Sequence, residues 1–425
     1  MDNATHGLWA RTAPPAPVTT SLEGTLTAEV AIVGAGYTGL SAALYLAQRG
    51  AAPVVLEAST IGFGAAGRSS GLVNAGMWVP PDDVPSILGA KYGERLLQLL
   101  ADAPRTVCEL IESNRIDCEL ERYGTLQCAI GSRGLTAIRK RAEQWTRRGA
   151  DVVLLDAAET ARKVGSSVYQ GAIFDKRTST LQPLAYVRGL AKAAIGAGAQ
   201  VFTDTQVLRI ERGTKRWCLH TPRGCAQASW VFVATDAYTC GPWPRVQRQF
   251  AHLPYFNIAT RPLEDRIRTS ILPERQGITD TRTILSSVRL DQSGRLIIGS
   301  IGALRGSGAR IHVAWAKRAL QKWFPQVGSV DLEYAWSGTI GMTDTHLPKF
   351  HQLAPQVLSI GGYNGRGIAA GTVFGRLVGQ LIAREITEYE IPLPVTEPEP
   401  IRFRSLRSHL YEAGARSFHF TSARL

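Results

Sequence analysis

Between residues 28 and 57 the chain carries a strand pattern, a glycine turn, a helix pattern and a second strand pattern with no gap between them. Residues 28–33 are mostly apolar, as a parallel strand covered on both faces must be. Gly34-Ala-Gly36-Tyr37-Thr38-Gly39 follows at once, then an Ala/Leu-rich run over 40–48 stopped by Gly50, then the strand 53–56 and the acid Glu57. This is a βαβ unit with a GxGxxG turn, the pattern of dinucleotide binding. Gly34 permits the tight turn, Gly36 lets backbone approach a pyrophosphate, and Gly39 allows close helix–strand packing. The free N–H groups of the helix start favour phosphate. Glu57, 18 residues beyond Gly39, is placed to accept ribose hydroxyls. Glycines alone also serve plain turns; both strands, the helix and the terminal acid in register are what point to a nucleotide.

The remaining sequence bounds what can be built around that unit. A chain of 425 residues allows two domains or one large α/β domain. With 44% apolar and 20% charged residues, collagen-like, disordered and disulfide-scaffold classes are excluded. No apolar run approaches the ~18 residues of a membrane helix. The first 20 residues, with Pro14, Pro15 and Pro17, read as neither signal peptide nor anchor. Six cysteines form no CxxC pair, so reduced thiols in a cytoplasm are expected. Eight histidines show no HxH or HExxH spacing, so no metal site is expected. The net charge, 48 − 35 = +13, is scattered, which reads as a solvated basic surface, and no nucleic-acid partner is expected. The tail is the exception: Arg402, Arg404, Arg407, Arg416 and Arg424 face only Glu412. It reads as a helix turning Ile401, Phe403, Leu406 and Leu410 inward and its arginines outward.

Residues 59–76 hold Gly62, Gly64, Gly67, Gly71 and Gly76 together with Arg68, Ser69, Ser70 and Asn74. Such a loop suits backbone pressed against a ligand. Downstream, helices are expected over 94–114, 135–148 and 183–198, and strands over 122–130, 200–203 and 229–235. Residues 250–302 alternate strand patterns with turns such as 291–294, as a mixed or antiparallel sheet does. A strand at 356–360 runs into Gly361-Gly362-Tyr363-Asn364-Gly365-Arg366-Gly367 and a helix from Ile368 to about Glu385, a second glycine-rich strand-to-helix turn. Residues 392–400 read as a linker.

In this order and spacing the segments resemble the flavin-dependent D-amino-acid-oxidase superfamily. The resemblance spans about residues 26–386. It rests on the Gly34 turn with Glu57, the loop 61–71, Thr180-Leu-Gln-Pro183, the strand 231–235, Trp336-Ser-Gly338 and the turn 361–368. Segments 72–80 and 361–366 look like bacterial L-pipecolate oxidase, and the whole looks like γ-glutamylputrescine-type enzymes. The resemblance implies a doubly wound α/β FAD-binding domain over 25–110, 170–245 and 335–385. It implies a mixed-sheet substrate domain over 111–169 and 246–334, leaving 386–425 as linker and basic tail. It implies FAD against Gly34, Gly36, Tyr37, Thr38, Gly39, Glu57, Ala58, Arg68, Ser69, Ser70, Gly71, Leu72, Val207, Ala234 and Thr235. Gly338, Gly362, Tyr363, Asn364, Gly365, Arg366, Gly367 and Ile368 complete the implied contacts.

The implied reaction is oxidation of a C–N bond by hydride transfer from the carbon beside an amine, with oxygen or a quinone as final acceptor. Two departures matter. No cysteine stands near Trp336, where sarcosine oxidases attach flavin, so noncovalent FAD is expected; Cys240 is the nearest in sequence. Glycine oxidases place a carboxylate-binding arginine in that segment, where this chain has Ile340 or a neighbour. If the substrate is an amino acid, its carboxylate needs Arg68, Arg289 or Arg366, since a guanidinium matches a carboxylate with two bonds. Tyr255, Trp336 and Tyr363 are candidates for the pocket wall. The resemblance points first to a small cyclic secondary amino acid such as L-pipecolate. A γ-glutamylputrescine-type polyamine oxidase stands beside it, and a basic flavoprotein binding RNA or membrane is the alternative of another class.

Overall fold

The computed structural model describes residues 6–423; the first five residues and Arg424 of the tail lie outside the described residues. Two large sheets organise the chain. The first has a parallel centre in the order Val357–Gly361, Gly224–Val233, Gly24–Val33, Val54–Leu56, Gln200–Phe202. The expected strands at 28–33, 53–56, 200–203, 229–235 and 356–360 are thus the five adjacent strands of one sheet. Their apolar continuity has its cause in burial on both faces: Val30, Ala31, Ile32, Val54, Val55, Leu56, Val231 and Phe232 are all inaccessible or nearly so.

Helix Tyr37–Ala47 packs on this sheet between helices Pro183–Gly196 and Gly367–Ile382 and is buried along its whole length. Gly34 has φ +106°, a backbone setting that favours glycine. Gly39 is fixed by contact: a Cβ there would sit 2.1 Å from the Gly34 carbonyl oxygen.

The second sheet runs Leu332–Met342, Ala251–Pro262, Arg295–Ile301, Ser286–Leu290, Gly277–Asp280, Thr125–Cys128, Ala172–Asp175, Val152–Leu155. It is antiparallel apart from the parallel pair Thr125–Cys128 with Gly277–Asp280. Strands Ala172–Asp175 and Leu332–Met342, which boundaries at 170 and 335 would assign wholly or largely to the nucleotide half, pair in this second sheet. Helix Gly306–Trp323 packs beside it through Trp315, Ala319 and Leu320.

Three expectations are corrected. Cys218 and Cys225 form a disulfide, not free thiols. Strands Trp217–His220 and Gly224–Val233 pair antiparallel with His220 opposite Cys225, which brings the two cysteines to a Cα separation of 6.3 Å across a turn that no CxxC search detects. The tail is a helix, Arg404–Thr421, but Phe403, Leu406 and Leu410 are exposed. Its inward face is instead Ser408, which accepts the His252 N–H at 3.0 Å, with Ala415 and His419. Small and polar groups allow the close approach, and His419 finds its hydrogen-bonding partner His312 at 2.8 Å. The linker holds strand Val395–Thr396, paired with Phe350 and His351 at the edge of the first sheet, with Ile391 and Leu393 buried beside it.

Candidate active site

A cavity of about 870 Å³ lies between the two sheets. Its first wall is the βαβ unit. Gly34, Ala35, Gly36, Tyr37 and Thr38 line it at the start of helix Tyr37–Ala47, and Glu57 and Ala58 line it at the end of strand Val54–Leu56. The Glu57 carboxylate accepts the Ala35 N–H at 2.8 Å and the Ser59 N–H at 3.0 Å, so it ties the glycine turn to the following loop. Burial pushes its carboxyl above the usual range, and the backbone donors pull the other way. Val207, Ala234 and Thr235 close this end.

The loop after Glu57 supplies the middle of the cavity with Arg68, Ser69, Ser70 and Leu72. Arg68 is buried; its Nε donates to the Phe63 carbonyl at 2.8 Å and its Nη1 to the Ser337 carbonyl at 3.1 Å. Its own carbonyl accepts from Trp336 Nε1 and Asn257 Nδ2, both at 3.1 Å. The arginine therefore bolts the loop to strand Leu332–Met342, where Gly338, Thr339 and Ile340 line the cavity. The second glycine turn adds Tyr363, Asn364, Gly365, Gly367 and Ile368 at the start of helix Gly367–Ile382. Tyr363 donates or accepts at Thr38 Oγ1 across 2.9 Å, joining the two turns.

The far wall belongs to the second sheet: Leu253, Tyr255, Thr279, Ser287 and Ile301, with Thr283, Ile284 and Leu285 from the adjoining turn. Tyr255 Oη and Ser287 Oγ lie 2.8 Å apart, and burial pushes the phenol well up, so it stays protonated at neutral pH. Trp78, Val79 and Pro80 form a side wall, and Tyr411 reaches in from the C-terminal helix.

Not every expected residue lies in the lining. Gly39, Gly71 and Gly362 sit behind it as packing and turn residues, and Trp336 is fully buried behind Arg68. Arg289 and Arg366 also stay outside the lining. Arg289 directs Nη1 to the carbonyls of Leu181 and Gly71. Arg366 Nη1 donates to the Ala75 carbonyl at 2.8 Å, and its guanidinium lies 4.1 Å from the centre of the Trp78 ring. Burial lowers both pKa values, to about 10 and about 9. Both guanidinia thus donate to backbone carbonyls, and neither lines the cavity in which a substrate carboxylate was expected to meet them.

Sequence reading also missed residues. Asp236, three residues past the end of strand Gly224–Val233, accepts the Gly362 N–H at 2.6 Å and lines the cavity; an acid just after a strand was the available signal. Nothing local marks Tyr411 or Ser287. The N-terminal helix Leu8–Thr12 was missed as well. Trp9 donates to the Ser69 carbonyl at 2.9 Å and buttresses the loop from behind.

The cavity suits the expected FAD. Two helix starts and Arg68 give it a positive field, while the carboxylates of Glu57 and Asp236 are already engaged by backbone N–H groups. At Gly36 an added Cβ would have only the Ala66 Cβ within 4 Å, at 3.8 Å, so the glycine keeps open space on the cavity side.

Comparison with known proteins agrees with this geometry. The chain is 30% identical over 408 residues to a probable oxidoreductase OrdL of Rhizobium meliloti, covering 94% of each chain. It is 30% identical over 373 residues to the gamma-glutamylputrescine oxidoreductase of Escherichia coli, covering 87% of each. Among solved structures, glycine oxidase from Geobacillus kaustophilus superposes with a TM-score of 0.70 at 20% identity, over 89% of this chain and 99% of that one. Residues 29–381 match the family described as FAD dependent oxidoreductase (DAO). The chain belongs to that family, the DAO-type FAD-dependent oxidoreductases.

Proposed function

We propose that the protein oxidises the C–N bond of an amine that carries no α-carboxylate at the reacting carbon, a substrate of the γ-glutamylputrescine type. The observation that carries this reading is the charge pattern of the lining. Among the described residues, Arg68 is the one arginine or lysine on the cavity wall, and it is bonded to backbone carbonyls from two segments. The second-sheet wall offers apolar side chains and hydroxyls, which suit an alkyl amine chain with a few polar groups. The E. coli relative named for gamma-glutamylputrescine supports the same choice.

Bound FAD supplies the hydride acceptor for the carbon beside the amine, giving an imine that water hydrolyses. The chain supplies binding and orientation. Glu57 and the Gly34–Thr38 turn hold the nucleotide end. Arg68 and the start of helix Gly367–Ile382 favour negative charge at the flavin end. Tyr255 and Ser287 orient the substrate by neutral hydrogen bonds, and Trp78, Tyr411 and Ile340 exclude water.

The test is anaerobic mixing of the purified yellow protein with a panel of mono-, di- and N-acylated amines and α-amino acids, followed by flavin absorbance. Bleaching by amines with release of an aldehyde supports the reading. Bleaching by α-amino acids alone overturns it.

A further inference from the structure

Strands Arg209–Arg212, Trp217–His220 and Gly224–Val233 form an antiparallel meander that extends the first sheet. Glu211 stands opposite Cys218, and His220 stands opposite Cys225. Side chains alternate with period two along a strand and match across a ladder, so these four residues share one face. The ligand atoms of Cys218, His220 and Cys225 lie within 4.8 Å of one another. His220 Nε2 is 3.4 Å from Glu211 Oε2. Both side chains are partly exposed, 31% for His220 and 42% for Glu211, so the face is open to an incoming ion. None of the four residues lines the cavity.

We propose that this face is a zinc site controlled by thiol oxidation. In the reduced protein, the thiolates of Cys218 and Cys225, the imidazole of His220 and the carboxylate of Glu211 form a four-ligand shell. The disulfide seen between Cys218 and Cys225 is the oxidised, metal-free state of the same face.

The ligand set is the one Zn²⁺ prefers, two soft thiolates with a nitrogen and an oxygen donor. Tetrahedral coordination at a Zn–S distance of about 2.3 Å sets the two sulfurs about 3.8 Å apart. The Cα separation of 6.3 Å accommodates this by rotation of the cysteine side chains. Arg209 sits on the same face, paired with Glu211 and 3.2 Å from His220 Nε2. Zn²⁺ with two thiolates and one carboxylate carries one net negative charge, which the Arg209 guanidinium offsets. The spacing explains why a search for CxxC, HxH and HExxH found nothing: the ligands come from three strands, as Cys-x-His, one cysteine beyond the turn and one acid on the strand before.

The chemistry balances in two steps. A dithiol reductant gives the disulfide two electrons and two protons, breaking the S–S bond and leaving two thiols, while the dithiol closes to its own disulfide. Zn²⁺ then displaces the two thiol protons and forms two Zn–S bonds with no change in oxidation state.

The test uses the flavin-loaded full-length protein. One portion is reduced with a dithiol under nitrogen and desalted; another is oxidised with diamide. Both receive ZnCl₂ and are gel-filtered, and retained metal is counted by mass spectrometry. One zinc per chain in the reduced portion and none in the oxidised portion is expected, a contrast that needs no variant. In reduced Cys225→Ser and His220→Ala the retained zinc should be lost. With Co²⁺ in place of zinc, the reduced wild type should show visible ligand-field bands that the oxidised protein lacks. Equal zinc in both portions, no zinc in the reduced portion, or full retention in Cys225→Ser overturns the proposal.

Discussion

The Arg366 guanidinium lies 4.1 Å from the centre of the Trp78 ring while donating to the Ala75 carbonyl, and Trp78 in turn donates its Nε1 to the Asn364 carbonyl at 2.9 Å. Trp78 is on the cavity wall; Arg366 is behind it. The arginine therefore shapes the site through the tryptophan. Arg366→Ala should lower the melting temperature through loss of about 1.5–3 kcal/mol of hydrogen bonding and cation–π contact. It should change kcat/KM for amine and amino-acid substrates by the same factor. A selective loss on carboxylate-bearing substrates, measured by steady-state kinetics, would restore Arg366 to the role of clamp.

Gly36 and Gly39 should separate binding from folding. Gly36→Val has room to fold, with 3.8 Å to the nearest atom, yet its branched side chain occupies the space a pyrophosphate needs. It should purify folded and colourless. Gly39→Val should fail to fold, because even a Cβ meets the Gly34 carbonyl oxygen at 2.1 Å. Glu57→Ala, which removes two backbone partners, should weaken FAD binding by roughly 1–3 kcal/mol. Flavin content and circular dichroism of the three variants check this, and wild-type FAD affinity in Gly36→Val would remove the turn from the account.

FAD should leave the protein on acid precipitation. Among the described free cysteines, Cys108, Cys118 and Cys128 are buried away from the cavity and Cys240 alone lines it. Cys240 accepts from Gln206, beside Val207 at the nucleotide end. The one cavity-lining thiol among the described residues thus sits with Gln206 and Val207. Yellow colour retained in the denatured pellet would contradict this.

Acid should destabilise the fold. Burial lowers the His312 and His419 pKa values from 6.5 to about 4 and about 3, with further depression from neighbouring positive charge. The unfolded chain takes up these protons near pH 6.5 while the folded chain does not. The stability is therefore fully present above pH 6.5 and is lost as pH falls toward 4. His6 and His351, also lowered to about 4, act in the same direction. Each contributes a slope of up to about 1.4 kcal/mol per pH unit. Melting temperatures should hold between pH 7.5 and about 6.5 and then fall toward pH 5; a flat profile over the whole range would mean these histidines are not held neutral.

Local order is what the sequence carries well. The strand at 28–33, the Gly34 turn, Glu57 and the second turn at 361–367 are contiguous signals. Each is placed in the structure where its local chemistry requires, at one end of the parallel strands of the first sheet. What sequence reading could not supply is the direction of long side chains after assembly. Arg289 and Arg366 stand in suggestive positions but turn to carbonyls of Leu181 and Ala75, residues 108 and 291 positions away. The tail shows the same limit: Phe403, Leu406 and Leu410 look like a core stripe, yet His419 and Ala415 fix the opposite rotation of the helix. The Cys218–Cys225 pairing depended on a strand register that spacing alone does not encode.

The central claim, a flavin site for amines without a carboxylate clamp, is tested most directly by one matched pair. Piperidine and L-pipecolate share a ring and differ by the carboxylate. Stopped-flow mixing under nitrogen, read as loss of flavin absorbance, gives the rate constant for reduction by each, with a diamine and its N-acylated derivative in parallel. The account predicts reduction by the amines, fastest for the acylated diamine, and no more than about a tenfold advantage for L-pipecolate over piperidine, which bounds any clamp at about 1.4 kcal/mol. Rapid bleaching by L-pipecolate, with piperidine and the diamines inert, would contradict it.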